Sequence, residues 1–364
     1  MVVGEISEGA EVLVIGGGPA GYLAAIRAAQ LDLDVTLVDD RDALGGVCLN
    51  EGCIPSKAVI HASKLFHDAG DATGMGIAAD PSVDMDALQD WRQGIVDKLT
   101  SGDTAHISGG DTEAIEFEHC ILAPGSTVTE LPGIDIDRDT VITSREALEL
   151  DAVPDRFAII GGGYIGMELG MVYAKLGADV SVLEAGDRIL QGFPAELVAP
   201  VEDRCADLGI DIMTGTAAGD VTVADGAATI TTDDDTVEAD TVLVAVGREP
   251  QTGGLGLENT AVEVDDNGFI VVDDQLRTGE EGIYAIGDAA GEPMLAHKGY
   301  QEGKVAAEVI AGEASAADFV VPAVVYTDPE IATVGLTEED AEENGMDTVT
   351  GQFSFGASGR AATL

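Results

Sequence analysis

The chain has 364 residues, with 17 Lys and Arg against 68 Asp and Glu, for a formal charge of −51. At about 150 residues per domain this is two or three domains, and 45% hydrophobic residues exclude an acidic disordered chain, which lacks such apolar content. The same charge repels nucleic acid and anionic membranes and excludes both as partners.

Uncompensated acids destabilise a compact fold by self-repulsion unless dense salt screens them. Four acids per base therefore read as a surface adapted to high salt rather than that of an ordinary acidic protein. Residues 1–10 lack the basic segment of a signal peptide, and no run approaches the roughly 18 apolar residues of a membrane helix. Four cysteines do not make a secreted disulfide scaffold. A cytoplasmic protein is expected.

Along the chain, EVLVIGGGPAGYLAAIRAAQLDLDVTLVDD (11–40) reads as strand, glycine turn, helix and strand. Val12–Ile15 is a short apolar run entering the glycines, and Ala20–Gln30 has helical composition without proline. Gly16 suits the tight turn, Gly18 lets the backbone approach a pyrophosphate, and Gly21 lets helix pack on strand. The pyrophosphate then sits on the helix N-terminus, where free N–H groups favour an anion. Asp39, 23 residues after Gly16, is placed to accept hydrogen bonds from ribose hydroxyls.

Next comes LGGVCLNEGCIPSKAV (44–59), with Cys48 and Cys53 five positions apart. The residues after Cys53 have helical spacing, which puts Cys53 at or near a first helical turn, where the dipole favours a thiolate. Lys57, one turn on, adds positive charge to the same face. A zinc site would need four ligands and no second Cys or His pair has matching spacing, so no metal is expected. A structural disulfide over so short a loop would gain little loop entropy, which leaves a redox pair as the favoured reading. Cys120, in an expected strand, and Cys205, in an expected helix, read as packing residues.

RFAIIGGGYIGMELGMVYAKLGADVSVLEA (156–185) repeats the first unit, with Phe157–Ile160 as strand and Ile165–Leu176 as helix. Gly161, Gly163 and Gly166 match the three earlier glycines, and Glu184 again lies 23 residues after the first. A carboxylate there repels a 2′-phosphate, and no arginine follows until Arg188, so NAD is preferred to NADP. One such glycine pattern is weak evidence; two in register point to a protein that binds two nucleotides, commonly a flavin and a nicotinamide. The acidic run TDDDTVEAD (232–240) reads as a solvated hairpin rather than a metal site.

CLNEGCIPSK (48–57) resembles the active-site signature of the flavin-dependent pyridine nucleotide-disulfide oxidoreductases, and within them the branch that acts on dihydrolipoyl groups. In the family's order, CILAPGS (120–126) is similar to a flavin-domain strand and SREALEL (144–150) to the crossover into the NAD unit. VLVAVGREPQT (242–252) is similar to the return strand, and IYAIGDAAGEPMLAHKGYQEG (283–303) to a second flavin motif. The resemblance implies an α/β fold of two Rossmann-like domains, for FAD (1–150) and NAD (151–272), with a return to the flavin domain (273–320). The start of an α+β dimerisation domain (321–364) would follow.

It also implies roles. Asp39 would hold the flavin-side ribose and Asp288 a ribityl hydroxyl, with Gly46, Gly125, Met294, Ala296 and His297 also at the flavin. Lys57 would lie near the flavin N5 and pair with Glu168. Cys53 would be the charge-transfer thiol, and Cys48 the exposed interchange thiol that exchanges with substrate. Tyr164 would gate the nicotinamide pocket, with Gly247 and Arg248 among the cofactor-binding residues. The implied reaction is oxidation of protein-bound dihydrolipoyl groups by a homodimer, with a lipoyl-bearing acyltransferase or glycine-cleavage carrier protein as partner. A related disulfide or mercuric reductase, or a non-catalytic redox flavoprotein, is the alternative.

Three departures stand out. Pro124 replaces a usual threonine, a change tolerable in a loop; only DTAHISGGDT (103–112) stands where the family has a helix end and a further strand. The chain also stops before the family's His-Pro…Glu motif, whose histidine serves as base from the opposite subunit, and His61, His67, His106, His119 and His297 lack that context. The joint absence of an internal stretch and a terminal one favours a sequence that omits parts of the protein over a genuinely shortened enzyme.

Overall fold

The computed structural model describes residues 8–101, 115–313, 316–359 and 361. The shortened stretch 103–112, and His106 within it, lie outside the described residues.

The first unit is β1 (Glu8–Ile15), α1 (Pro19–Gln30) and β2 (Val35–Val38). Val12 and Val14 are fully buried, and Ala20, Ala24 and Ala28 repeat at helical spacing along the buried side of α1. Pro19 opens α1, a position where its missing N–H leaves no bond unmade. Helices α2 (Gly46–Asn50), α3 (Cys53–Asp71) and α4 (Met85–Thr100) follow, then β3 (Ile115–Leu122) and β4 (Ser126–Val128). After β5 (Val141–Ile142) comes α5 (Ser144–Ala147), started by a capping box of Thr143 and Glu146.

The second unit is β6 (Arg156–Ile160), α6 (Tyr164–Leu176) and β7 (Asp179–Glu184), continued by α7 (Ala195–Asp207) and β8 (Asp211–Thr214). Strands β9 (Val221–Ala224), β10 (Ala227–Thr231) and β11 (Thr236–Ala239) form an antiparallel sheet. The acidic run 232–240 supplies the turn between β10 and β11 and then β11 itself, with Asp233, Asp234 and Asp235 exposed. The chain continues through β12 (Thr241–Val244), β13 (Arg248–Pro250), β14 (Ile283–Ala285) and α8 (Ala296–Ile310). A further hairpin, β15 (Ala323–Val325) and β16 (Ile331–Thr333), precedes α9 (Glu338–Glu343).

The fold is α/β. One parallel sheet has the order β14-β3-β1-β2 and the other β5-β12-β6-β7-β8. Parallel strands require helical crossovers that cover the sheet faces, so their residues read as unbroken apolar runs; all four residues of β12 are buried. Both units match the expected order, each helix starting one residue earlier than its composition suggested. Cys120 in β3 and Cys205 in α7 are buried. Among the described residues no helix is long and apolar enough to cross a membrane.

Helix α8 closes the first unit against α1. Gly303 permits the approach: a Cβ there would come within 2.5 Å of the Ala20 carbonyl oxygen. Within α8 the buried pair Lys298–Glu302, 2.8 Å apart, braces the turn after β14. Lys298 donates to the carbonyls of Gly287 and Gly291, and Glu302 accepts from the Gly287 N–H at 2.7 Å. Breaking a buried ion pair leaves one charge without a counterion, at a cost of about 3–5 kcal/mol. Glu302→Leu is expected to lose that much stability in urea unfolding; a loss under about 1 kcal/mol would mean that Lys298 finds water. Raising salt from about 0.1 to 1 M shortens the Debye length from about 10 to 3 Å, and the thermal midpoint is expected to rise with it. An unchanged midpoint would mean that the acids do not repel one another appreciably.

Candidate functional site

Each glycine turn is tied to an acid at the end of the following strand, Asp39 just past β2 and Glu184 as the last residue of β7. Gly17 N–H donates to Asp39, whose other oxygen accepts from Arg41 N–H. Gly162 N–H donates to Glu184 at 2.7 Å, and the other Glu184 oxygen accepts from Gly186 N–H and the Gln191 amide. A carboxylate has about four acceptor sites, so both acids retain capacity for ribose hydroxyls. Gly16 and Gly161 have φ +105° and +108°, a conformation costly for any residue with a Cβ. A Cβ on Gly21 or Gly166 would collide with the carbonyl of Gly16 or Gly161. Arg188 is turned away to the carbonyls of Phe193 and Gln191.

A cavity of about 610 Å³ runs along the first unit. Its lining includes Asp39 and Arg41, Gly16, Gly18 and Gly46 at the start of α1, and Cys48, Cys53, Lys57, Tyr164, Glu168 and Asp288. The first turn of α1 carries no acidic side chain, which suits an anion at its N–H groups. Gly46 lies so close to Gly18 that a Cβ would come within 2.8 Å of its Cα. A cavity that joins a carboxylate with spare acceptor sites, a helix start free of acidic side chains and further polar groups fits a dinucleotide such as FAD in donor set, and its volume is usual for such sites.

Cys53 begins α3, with Gly52 as the preceding residue, and Ser56 and Pro55 are buried in the first turn. A hydrogen bond with Cys48 pulls the Cys53 thiol below its ordinary value; burial opposes this, and the Lys57 ammonium reinforces it. The same hydrogen bond, together with burial, pushes Cys48 up. Both thiols are free, and both line the cavity. Cys48 sits inside the short α2, and Cys53 starts α3.

Lys57 reaches across from α3 to Glu168 on α6, Nζ to Oε2, at 2.8 Å. Glu168 is only 4% exposed, and its second oxygen accepts from the Tyr326 backbone N–H at 2.9 Å. The Tyr326 ring lies under the Lys57 ammonium, 4.4 Å from nitrogen to centroid. Two residues on, Asp328 binds Lys175 of α6 at 2.9 Å and Arg204 of α7 at 3.2 Å, and Arg204 also contacts His67 of α3. Burial alone would raise the Asp328 carboxyl, but these two cations hold it below the usual range.

In the cavity lining Asp288 accepts from Ser126 at 2.5 Å, and Arg248 donates to the same hydroxyl and to the Ser126 carbonyl. Arg248, Gly125, Met294 and Ala296 all line the cavity. His297 does not: its Nε2 lies 2.6 Å from the Pro322 carbonyl, because one residue of advance along α8 turns it off the cavity face. Gly21, Gly161, Gly163, Gly166, Glu184 and Gly247 lie outside this cavity, the second-unit residues at their own glycine turn. Sequence reading missed Ser126, Tyr326, Asp328 and the Tyr22–Tyr300 hydroxyl pair (2.8 Å). Their contacts join segments far apart in the chain, which no local pattern signals.

Residues 10–303 match the pyridine nucleotide-disulphide oxidoreductase family, and residues 321–364 match its dimerisation domain. The dihydrolipoyl dehydrogenase of Haloferax volcanii is 51% identical over 396 aligned positions, covering 100% of this chain and 83% of the relative. That of Halobacterium salinarum is 49% identical over 395 positions, with the same coverage. Both alignments are longer than the 364 residues of the chain, so both relatives carry internal positions with no counterpart in it. Among solved structures, LpdA from Mycobacterium tuberculosis superposes with a TM-score of 0.82 at 27% identity, over 92% of this chain and 80% of that one.

Removing the cation beside Cys53 should raise its titration midpoint. In a Cys48→Ser background, Lys57→Met is expected to shift the pH profile of iodoacetamide alkylation at Cys53 upward by about 1 unit or more. The thiolate is then present above the new midpoint and lost on acidification through it. An unmoved profile would mean that α3 alone stabilises the anion.

Proposed function

The chain belongs to the pyridine nucleotide-disulphide oxidoreductase family, and from that premise we infer that it oxidises protein-bound dihydrolipoyl groups to lipoyl with FAD and NAD. The observation that carries this reading is the placement of the Cys48–Cys53 pair. It stands at the helix start that faces a dinucleotide-shaped cavity, beside the buried-end ion pair Lys57–Glu168. Identities near 50% to dihydrolipoyl dehydrogenases of two halophilic archaea support the substrate class and accord with the acidic composition.

The first unit holds FAD, with Asp39 at the adenosine ribose, the start of α1 at the diphosphate and Asp288, oriented by Ser126, at a ribityl hydroxyl. The second unit holds NAD, with Glu184 at its ribose and Tyr164 between the two sites. Bound there, FAD would supply the acceptor for the electron pair of the reduced dithiol and the hydride donor toward NAD. Cys48 forms the mixed disulfide: a lipoyl thiolate attacks its sulfur, the Cys48–Cys53 bond breaks, and Cys53 departs as a thiolate. Lys57 and the N-terminus of α3 stabilise that anion, which lowers the barrier to its departure. The second lipoyl thiol then closes on the first sulfur and releases Cys48 with a proton. Glu168 holds Lys57 in place and, being buried, keeps the pair fixed.

The match to a dimerisation domain supports a homodimer. The partner is a lipoyl-bearing acyltransferase or a glycine-cleavage carrier protein, and the setting is the cytoplasm.

Anaerobic titration of the holoprotein with dihydrolipoamide in high salt tests the reading. A long-wavelength thiolate–flavin absorbance that NAD discharges is expected, and Cys48→Ser should abolish turnover. A flavin that stays oxidised under excess dithiol would overturn it. Like-charge repulsion at Glu184 costs several kcal/mol, so kcat/KM with NADP should lie about 100- to 1,000-fold below that with NAD; equal values would remove Glu184 from its role.

A further inference from the structure

We propose that Tyr326 is a positioning residue for the redox dithiol: its ring and its backbone N–H together hold the Lys57–Glu168 pair against Cys53, so that a residue of the C-terminal segment tunes the chemistry of the first unit. The inference rests on the reading of Cys53 and Lys57 given above and adds a third member to it.

The geometry assigns each group a direction. Glu168 is nearly excluded from water, so both of its oxygens need protein donors; Lys57 satisfies Oε2 and the Tyr326 N–H satisfies Oε1. With Oε1 committed, the carboxylate is fixed in rotation and presents one oxygen to the ammonium. The Tyr326 ring then bounds Lys57 on a second side, where the negative face of the π-system attracts a cation. Lys57 carries a flexible four-carbon stem, and without the ring its charge is free to swing toward solvent.

Tyr326 is itself held firmly. Val325, at the end of β15, is buried, and Asp328 is clamped by Lys175 and Arg204. The Asp328 N–H also meets the Met171 Sδ of α6 at 3.2 Å. The backbone at Tyr326 is therefore set by the docking of residues 325–328 on α6 and α7, and its partly exposed ring projects from that fixed point to Lys57. Other titratable groups bearing on the dithiol are Cys48 on α2, Glu168 and Tyr164 on α6, Asp288 after β14, and the Tyr22–Tyr300 pair of α1 and α8. Substitution at 326 leaves all of them in place.

The test uses the holoprotein carrying Cys48→Ser, in which Cys53 is the thiol facing the flavin, and follows the long-wavelength thiolate–flavin absorbance against pH. Tyr326→Leu removes the ring but keeps the backbone N–H; its midpoint is expected to rise by about half to one pH unit. Tyr326→Phe keeps the ring and should titrate like the parent. A Leu midpoint equal to the parent's, or lower, overturns the proposal, as does a Phe midpoint that moves as far as that of Leu. Should the Leu variant fail to fold, Tyr326→Trp decides. An indole binds cations more strongly than a phenol ring, so the midpoint should hold or fall, and a rise overturns the proposal. A parent with no titrating band removes the dithiol reading and this inference together, whereas a band indifferent to residue 326 removes this inference alone.

Discussion

The ion pair between Lys57 and Glu168 is the point on which the rest of the site depends, because it joins segments far apart in the chain. Lys57 belongs to the helix that starts at Cys53, Glu168 to the helix of the second nucleotide unit, and the second oxygen of Glu168 is held by a backbone group of the C-terminal segment. A carboxylate so thoroughly removed from water is stable as an anion only if its partners are fixed. The three segments are therefore locked in one relative arrangement. That arrangement is what brings a thiol, a cation and two nucleotide sites within reach of one another.

In a chain with four acids for every base, the placement of the bases is informative. Lys57, Lys175 and Lys298 are spent on partners in the interior rather than on balancing the surface. Each stands where a fixed positive charge holds backbone or carboxylate near the cavity or between domains. Lys298 braces the turn that presents Asp288; Lys175 anchors Asp328; Lys57 lies beside the dithiol. The surface is left to repel itself and to rely on salt. A polyanion can still bind two anionic nucleotides because the binding charges are local: helix starts, backbone N–H groups and a few buried cations act over a few ångströms in low dielectric, where distant surface acids are screened.

The duplicated unit shows how a local rule is reused. In both copies the N–H of the residue after the first glycine donates to the acid at the end of the second strand, so the acid shapes the turn. The two copies differ in what surrounds them. The first has α2, α3 and α8 folded against its turn and becomes one wall of a deep cavity; the second contributes the first turn of α6 to that same cavity.

The sequence by itself determined what depends on neighbours along the chain. Both glycine turns, their strands and helices, the acids at a fixed distance, the helix start at Cys53 and the acidic hairpin are consequences of short-range backbone geometry and period, and they are legible in the residues. The pairing of Lys57 with Glu168 was legible only through resemblance, since 111 residues separate them. The tertiary structure alone decided the rest. It turned His297 to a carbonyl instead of the cavity, brought Ser126 and Arg248 to Asp288, and seated Tyr326 beneath Lys57. Those outcomes follow from which helix faces meet when domains dock, and a one-residue change of angular position on a helix is enough to send a side chain to a different neighbour.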